Sequence, residues 1–334
     1  MATLDRLRAG ITVPGLRLRP YAGEADLPEI VRITNAEALA DGLYHRTTVE
    51  EMASSFAHPS EAFQPERDVT IAELDGRIVG QASREVVNTT DGFREYRNDG
   101  EVDPAFRRRG IGAALLAENL RRHRERAAED PTDRERLFGS WTWERQVGDI
   151  ALMESFKFAP ARWFFDMVRP NLDEIPERPL PAGFELRPID RSLARQVWEA
   201  DIEAFQDHWG GFDGSEEHLQ RWLDNPHVDL SMWVVAFDGD EVAGGIINAI
   251  DPEQNRAAGV RRGWLQSVFT RRAWRRRGLA TALIAESLRV LRDRGMTSAA
   301  LGVDAANPSG AFGLYEGLGF GVTERATAWR RPFE

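Results

Sequence analysis

Thr270-Arg271-Arg272-Ala273-Trp274-Arg275-Arg276-Arg277-Gly278-Leu279-Ala280-Thr281-Ala282-Leu283-Ile284 decides how this chain is read, because the chain contains a second version of it. The earlier copy runs Val102-Asp103-Pro104-Ala105-Phe106-Arg107-Arg108-Arg109-Gly110-Ile111-Gly112-Ala113-Ala114-Leu115-Leu116, 168 residues upstream. The same offset carries Gly15-Leu16-Arg17-Leu18-Arg19-Pro20 onto Gly183-Phe184-Glu185-Leu186-Arg187-Pro188. Self-similarity at one fixed offset marks a duplicated domain. The length of 334 residues agrees, being too great for one ordinary core and suited to two.

Outward from the two copies, the flanking patterns repeat in the same order. In the first half Leu16 to Pro20 alternates as a strand, Glu24 to Ala40 has helical spacing, and Val69 to Val87 predicts a hairpin turning at Asp75-Gly76. A strand leads to Val102, a helix carries Ile111, Leu115, Leu116 and Leu120 on one face, and Leu137 to Trp143 predicts another strand. The second half repeats this with a strand at Phe184–Pro188, a helix at Ser192–Phe205, a hairpin at Asp238-Gly239, a strand at Trp264–Phe269, a helix at Leu279–Arg294 and a strand at Ala299–Val303. The order predicts an α/β fold of two tandem domains, each a mixed, mostly antiparallel sheet flanked by helices. Residues 171–183 hold Pro176, Pro179 and Pro181 among mixed charges and read as a stiff connector. The expected domains are therefore 1–170 and 184–334.

Composition narrows the function classes. An apolar fraction of 42% supports packed cores, and the absence of cysteine excludes a disulfide framework, a thiol nucleophile and a Cys-ligated zinc. His45, His58, His123, His208, His218 and His227 have no metal-ligand spacing, so no metal is expected. No apolar run reaches the roughly 18 residues of a membrane span, and the N-terminus lacks a signal-peptide core, which predicts a cytoplasmic protein. The net charge of −11 argues against nucleic-acid binding, which needs excess basic charge to displace counterions. The expected partner is a small molecule, with the chain a monomer or homodimer.

The repeated turn sits between a strand and a helix. Its backbone N–H groups therefore lie at a helix N-terminus, where unpaired donors and the helix dipole favour an anion and glycine allows close approach. A pyrophosphate is the natural occupant, and nearby arginines can pair with further phosphates such as the 3′-phosphate of coenzyme A. The alternative is a tight turn with solvated arginines.

About thirty residues beyond the second turn come Asn307 and Leu314-Tyr315-Glu316-Gly317-Leu318-Gly319-Phe320. Together with Arg275-Arg276-Arg277-Gly278-Leu279-Ala280, this pairing resembles the GCN5-related N-acetyltransferases. The resemblance covers both halves, so the chain looks like a tandem-domain member, similar in arrangement to the mycothiol synthases. It implies that acetyl-CoA is co-substrate, lying where the strand ending near Val268 splays from the strand ending near Val303. Backbone groups of Val268, Phe269 and Thr270 would hold the pantetheine arm, and the turn Arg275, Arg276, Arg277, Gly278, Leu279, Ala280 and Thr281 would cradle the pyrophosphate. Asn307 would contact the cofactor arm. Tyr315 would sit near the sulfur as general acid while a primary amine attacks the thioester directly. A phenol of pKa about 10 can supply that proton without being ionised at neutral pH, although Tyr315 also reads as a core aromatic.

The base is less legible. The family often carries a Glu on the strand before the turn, but Trp264-Leu265-Gln266-Ser267-Val268-Phe269 has no carboxylate. Candidates are Asp304 and the loop Glu203-Ala204-Phe205-Gln206-Asp207-His208-Trp209-Gly210-Gly211, with a water-mediated route as the alternative. The part of that loop from Asp207 to Gly211 also lies where this family builds its acceptor pocket.

The copies are not equivalent. Setting Phe158 against Phe320 places Met153 at Tyr315 and Arg145 at Asn307, and a thioether cannot donate a proton. The first domain is expected to be non-catalytic, either binding a CoA-like molecule through Arg107, Gly110 and Gly112 or shaping the substrate cleft. Trp141 and Trp143 either fill the space a cofactor would take or pack as ordinary core. The competing function is a CoA-binding regulatory or scaffold protein without turnover.

Overall fold

The computed structural model describes residues 13–206, 208–210, 215–225, 228–306 and 310–334. Two compact units emerge: Met1–Ala161 with Thr327–Glu334, and Arg162–Ala326. The first contains β1 (Leu16–Pro20), α1 (Leu27–Ala40), α2 (Val49–Phe56), α3 (Pro65–Asp68), β2 (Val69–Leu74), β3 (Arg77–Asn88), β4 (Arg94–Val102), α4 (Ile111–Glu129), β5 (Arg136–Trp143) and α5 (Val147–Ser155). β6 (Ala159–Arg169) crosses into the second unit. There follow β7 (Glu185–Arg187), α6 (Arg191–Phe205), α7 (Glu216–Leu223), β8 (Val234–Asp238), β9 (Glu241–Ala249), α8 (Pro252–Ala258), β10 (Arg262–Thr270), α9 (Leu279–Asp293), β11 (Ser298–Asp304), α10 (Ala311–Gly317) and β12 (Gly321–Pro332), whose last part returns to the first unit.

Local chemistry accounts for the element boundaries. Thr48 and Glu51 form a reciprocal capping box on α2, and Asp190 caps α6 by accepting from Ser192 and Leu193 N–H. Asp75 and Gly76 both take positive φ (51° and 78°), which matches the right-handed twist of the β2–β3 hairpin. In each unit antiparallel strands, β1-β2-β3-β4 or β7-β8-β9-β10, lead to one parallel neighbour, β5 or β11. The mixed, mostly antiparallel sheet flanked by helices is as expected. No helix among the described residues is long and apolar enough to cross a membrane.

The domain boundary differs from the sequence expectation of 1–170, 171–183 and 184–334. The Ala299–Asp304 stretch of β11 pairs antiparallel with Phe164–Arg169 of β6, and Leu172 of the proline-rich segment is buried with Met167 in the core of the second unit. Conversely, Trp329 is buried among Tyr96, Leu116, Leu120 and Phe138 of the first unit, its Nε1 donating to Thr142 Oγ1 at 2.8 Å. Arg330 donates to Glu95 at 2.8 Å, and Arg331 to the Phe156 carbonyl at 3.0 Å. The proline count locates a stiff segment but not the cooperative units, because strand pairing between residues more than a hundred positions apart leaves no local signature.

Trp329→Ala is therefore expected to cost about 3–5 kcal/mol in the first unit, the range for truncating a buried tryptophan. Hydrogen exchange should show lost protection at Tyr96 and Phe138 while Leu283 and Leu301 keep theirs. Loss confined to the second set would refute the exchange of terminal strands.

Candidate functional site

In the second unit β10 and β11 pair only from Arg262–Trp264 to Ser298–Ala300. Against β9, β10 shifts register between Leu265 and Ser267. Beyond Trp264 the strands separate, so the β11-facing backbone groups of the segment leading to Val268, Phe269 and Thr270 have no strand partner there. Backbone N–H and C=O groups demand partners, and an unzipped parallel pair offers them to an extended ligand.

The arginine-rich turn stands at the end of β10. Arg276 and Gly278 both take positive φ (62° and 79°), and Gly278 is the N-cap of α9 without a side-chain cap. The first N–H groups of this helix, at Leu279, Ala280 and Thr281, are thus available to an anion, with the helix dipole aligned to favour it. A Cβ placed on Gly278 would meet nothing within 4 Å. Its glycine serves the left-handed backbone, and open space lies beside it. Leu279 is buried and anchors the turn in the core.

The side chains of the turn divide. Arg275 donates through Nε to the Thr270 carbonyl and through Nη2 to the Ala204 carbonyl, both at 3.0 Å. Its guanidinium ties the ends of β10 and α6 together. Arg276 and Arg277 are exposed, and Arg277 donates to the Ala273 carbonyl at 3.2 Å.

Tyr315 on α10 is buried in the cluster that also holds Leu279 and Val303, with Val268 packed against it. Its ring meets Phe320 edge-on at 6.2 Å. Both sequence readings of Tyr315, core aromatic and proton donor, are compatible with this place. Burial pushes its phenol up to about 12, so it is protonated at neutral pH. Asn307 lies outside the described residues.

The expected bases are otherwise engaged. Asp304 accepts a two-pronged contact from Arg162 at 2.8 and 2.7 Å, and Glu203 accepts from Arg271 at 2.7 Å. In the described part of the loop, His208 packs on Phe205 with centroids 4.2 Å apart, and Trp209 meets Phe164 at 6.0 Å. Asp207 and Gly211 lie outside the described residues.

Sequence reasoning missed Asp201. It lies on α6 and accepts from Ser267 Oγ at 2.5 Å, both lining a cavity of about 220 Å³ with Trp198, Phe205, His218 and Trp222. Burial lifts its carboxyl to about 6, partly opposed by the Ser267 hydrogen bond. Asp201 thus lies beside Ser267 of the strand before the turn, a strand that has no carboxylate of its own. A signal was present: Val197, Trp198, Asp201, Ala204 and Phe205 fall on one helical face, and a carboxylate on an apolar stripe is unusual.

The first unit keeps the turn geometry, with Arg108 at φ 64° and Gly110 at φ 87°. Arg107 donates to both Asp41 oxygens at 2.7 Å and to Glu37 at 2.9 Å, carboxylates of its own unit. Met153 is buried.

Residues 33–130 and 194–320 match the model of the acetyltransferase (GNAT) family. The mycothiol acetyltransferase of Salinispora tropica is 30% identical over 259 residues, which cover 77% of this chain and 78% of that protein. A GCN5-related N-acetyltransferase from Sphaerobacter thermophilus superposes with a TM-score of 0.69 at 25% identity, over 97% of this chain and 98% of that one. A tandem GNAT protein from the clavulanic acid biosynthesis pathway shares the fold, with a TM-score of 0.67 at 19% identity over 96% and 99% of the two chains. Two matched regions, two units with one backbone plan and two arginine-rich turns make this chain a member of the acetyltransferase (GNAT) family, a tandem-domain, acetyl-CoA-dependent N-acetyltransferase.

Proposed function

We propose that the second unit moves the acetyl group of acetyl-CoA to a primary amine of a small molecule by direct attack on the thioester. The observation that carries this reading is the unzipped β10–β11 pair, with an uncapped helix N-terminus at its mouth and Tyr315 in the cluster behind it. In this reading backbone groups of Val268, Phe269 and Thr270 hold the pantetheine arm. The Leu279, Ala280 and Thr281 amides take the pyrophosphate with the side chains of Arg276 and Arg277, and Gly278 keeps the approach open. Arg275 contributes through the turn it braces, and Asn307 contacts the cofactor arm. Acetyl-CoA supplies the activated acetyl carbon.

Asp201 is assigned as the base. It takes a proton from the attacking ammonium, the nitrogen forms its bond to the acetyl carbon, the carbon–sulfur bond breaks, Tyr315 gives its proton to the departing thiolate, and the second proton lost from the acetylated nitrogen restores the Tyr315 phenol. A base near 6 is ionised at pH 7 and still basic enough to accept a proton, while a phenol near 12 holds its proton across the working range. The likeness to mycothiol acetyltransferases supports a small-molecule acceptor. An amino sugar, a cysteine-bearing pseudodisaccharide and a polyamine all fit this chemistry.

Tyr315→Phe is expected to lower kcat by about 100-fold or more, the lower end for loss of a general acid, with little change in the KM for acetyl-CoA. Full activity at every pH would remove Tyr315 from the mechanism. The deprotonated form of Asp201 is the active one, so kcat/KM should rise with pH through about 6 and then level off. Asp201→Asn should abolish that limb together with most of the rate. Because Ser267 donates to the charged carboxylate, Ser267→Ala should move the limb to higher pH; an unmoved or lowered limb would contradict the assignment.

A further inference from the structure

The first unit has lost the tyrosine but not the cavity. Its β4–β5 pairing stops at Asn98–Ser140, and the opening beyond encloses about 440 Å³. Trp141 and Trp143 line this space rather than filling it. Glu37, Asp99, Glu101 and Asp149 bring four carboxyl groups to its wall, and no lysine or arginine is among its lining residues.

Two lining side chains, each more than nine-tenths buried, have an oxygen without a hydrogen-bond partner: Glu37 Oε2 and Asn98 Oδ1. The Asn98 amide nitrogen donates to the Tyr96 and Gly139 carbonyls at 3.1 and 3.0 Å, which fixes its oxygen as the remaining acceptor. Orphan buried acceptors are costly, and a donor-rich ligand satisfies them. Burial also pushes Glu37 up to about 8 and Asp149 up to about 6, in both cases against the opposing charge of Arg107.

We propose that the cavity of the first unit is a binding site for a small organic ammonium ion, held by Glu37, Asp149 and the Asn98 carbonyl oxygen between carboxylate and tryptophan walls. An ammonium group brings three N–H donors to the unpaired acceptors and a positive charge to the wall beside Asp149, and aromatic faces favour a cation at the mouth. Acyl-CoA is a poor occupant because its uncharged pantetheine arm would bring Asp149 no counter-charge. A divalent cation is a poor one for another reason. Glu37, Asp41 and Asp149 stand close enough to share an ion, but Arg107 already bridges Glu37 and Asp41.

The test is calorimetric titration of the full chain with 2-phenylethylamine. The wild type should bind two equivalents, one in each unit. Glu37→Gln with Asp149→Asn should weaken one site by tenfold or more, and Asp201→Asn should weaken the other. The melting temperature of the double variant, measured alongside, separates lost binding from lost folding. The neutral isostere 2-phenylethanol should bind the first site at least tenfold more weakly. The proposal is overturned if the double variant keeps both sites, if the alcohol binds as well as the amine, or if magnesium or CoA displaces the amine from the first unit. Failure of the Asp201 variant alone to lose a site would count against the catalytic assignment and leave this one standing.

Discussion

Both units are organised around a parallel strand pair that stays zipped for only a few residues. In an intact sheet the backbone donors and acceptors of both strands are consumed by the ladder. Here pairing ceases after Trp264–Ala300 in one unit and after Asn98–Ser140 in the other. The freed backbone groups and the space between the strands make the opening. The glycine turn that follows β10 points a helix N-terminus at its mouth. The surrounding core holds the geometry open: Leu265, Leu301 and Val303 bury the strands, and Leu279 and Leu283 bury the helix.

The duplicated backbone carries two chemistries. Both copies keep left-handed residues at the same two turn positions. The second unit holds a phenol, Tyr315, in its buried cluster and the Ser267–Asp201 pair between β10 and α6. In the first unit a buried methionine replaces the phenol, and the carboxyl groups sit on the strand itself as Asp99 and Glu101. The first arginine of the turn shows the same divergence, since Arg275 braces backbone carbonyls while Arg107 neutralises Glu37 and Asp41. The many exposed arginine–carboxylate pairs, such as Arg121 with Glu118, contribute at most about 1 kcal/mol each and do not hold the fold. Buried groups decide the difference between the units.

Much of this was legible in the chain itself. The fixed offset between the Arg107–Gly112 and Arg275–Ala280 segments predicted two copies of one α/β plan, and apolar periodicity located the helices that follow both turns. Asp75-Gly76 marked its hairpin because only a few residue types accept its backbone. Tyr315 was found through a motif with close sequence spacing. Asp201 was not, because its significance depends on Ser267, 66 residues away on another element. Asp304 and Glu203 read in the sequence only as carboxylates near a site, and that Arg162 and Arg271 donate to them is visible only in space.

By itself the sequence determined the duplication, the order of strands and helices, the two arginine–glycine turns and the asymmetry of Tyr315 and Met153. These follow from residue identity and short-range spacing, which act through backbone preference and periodicity. The tertiary structure alone decided where the units divide, since Trp329 and Leu172 are buried by partners remote in the chain. It also decided which carboxylates remain unpaired. Burial and ion pairing are properties of neighbours in space, and a linear sequence does not specify them until the strands have paired.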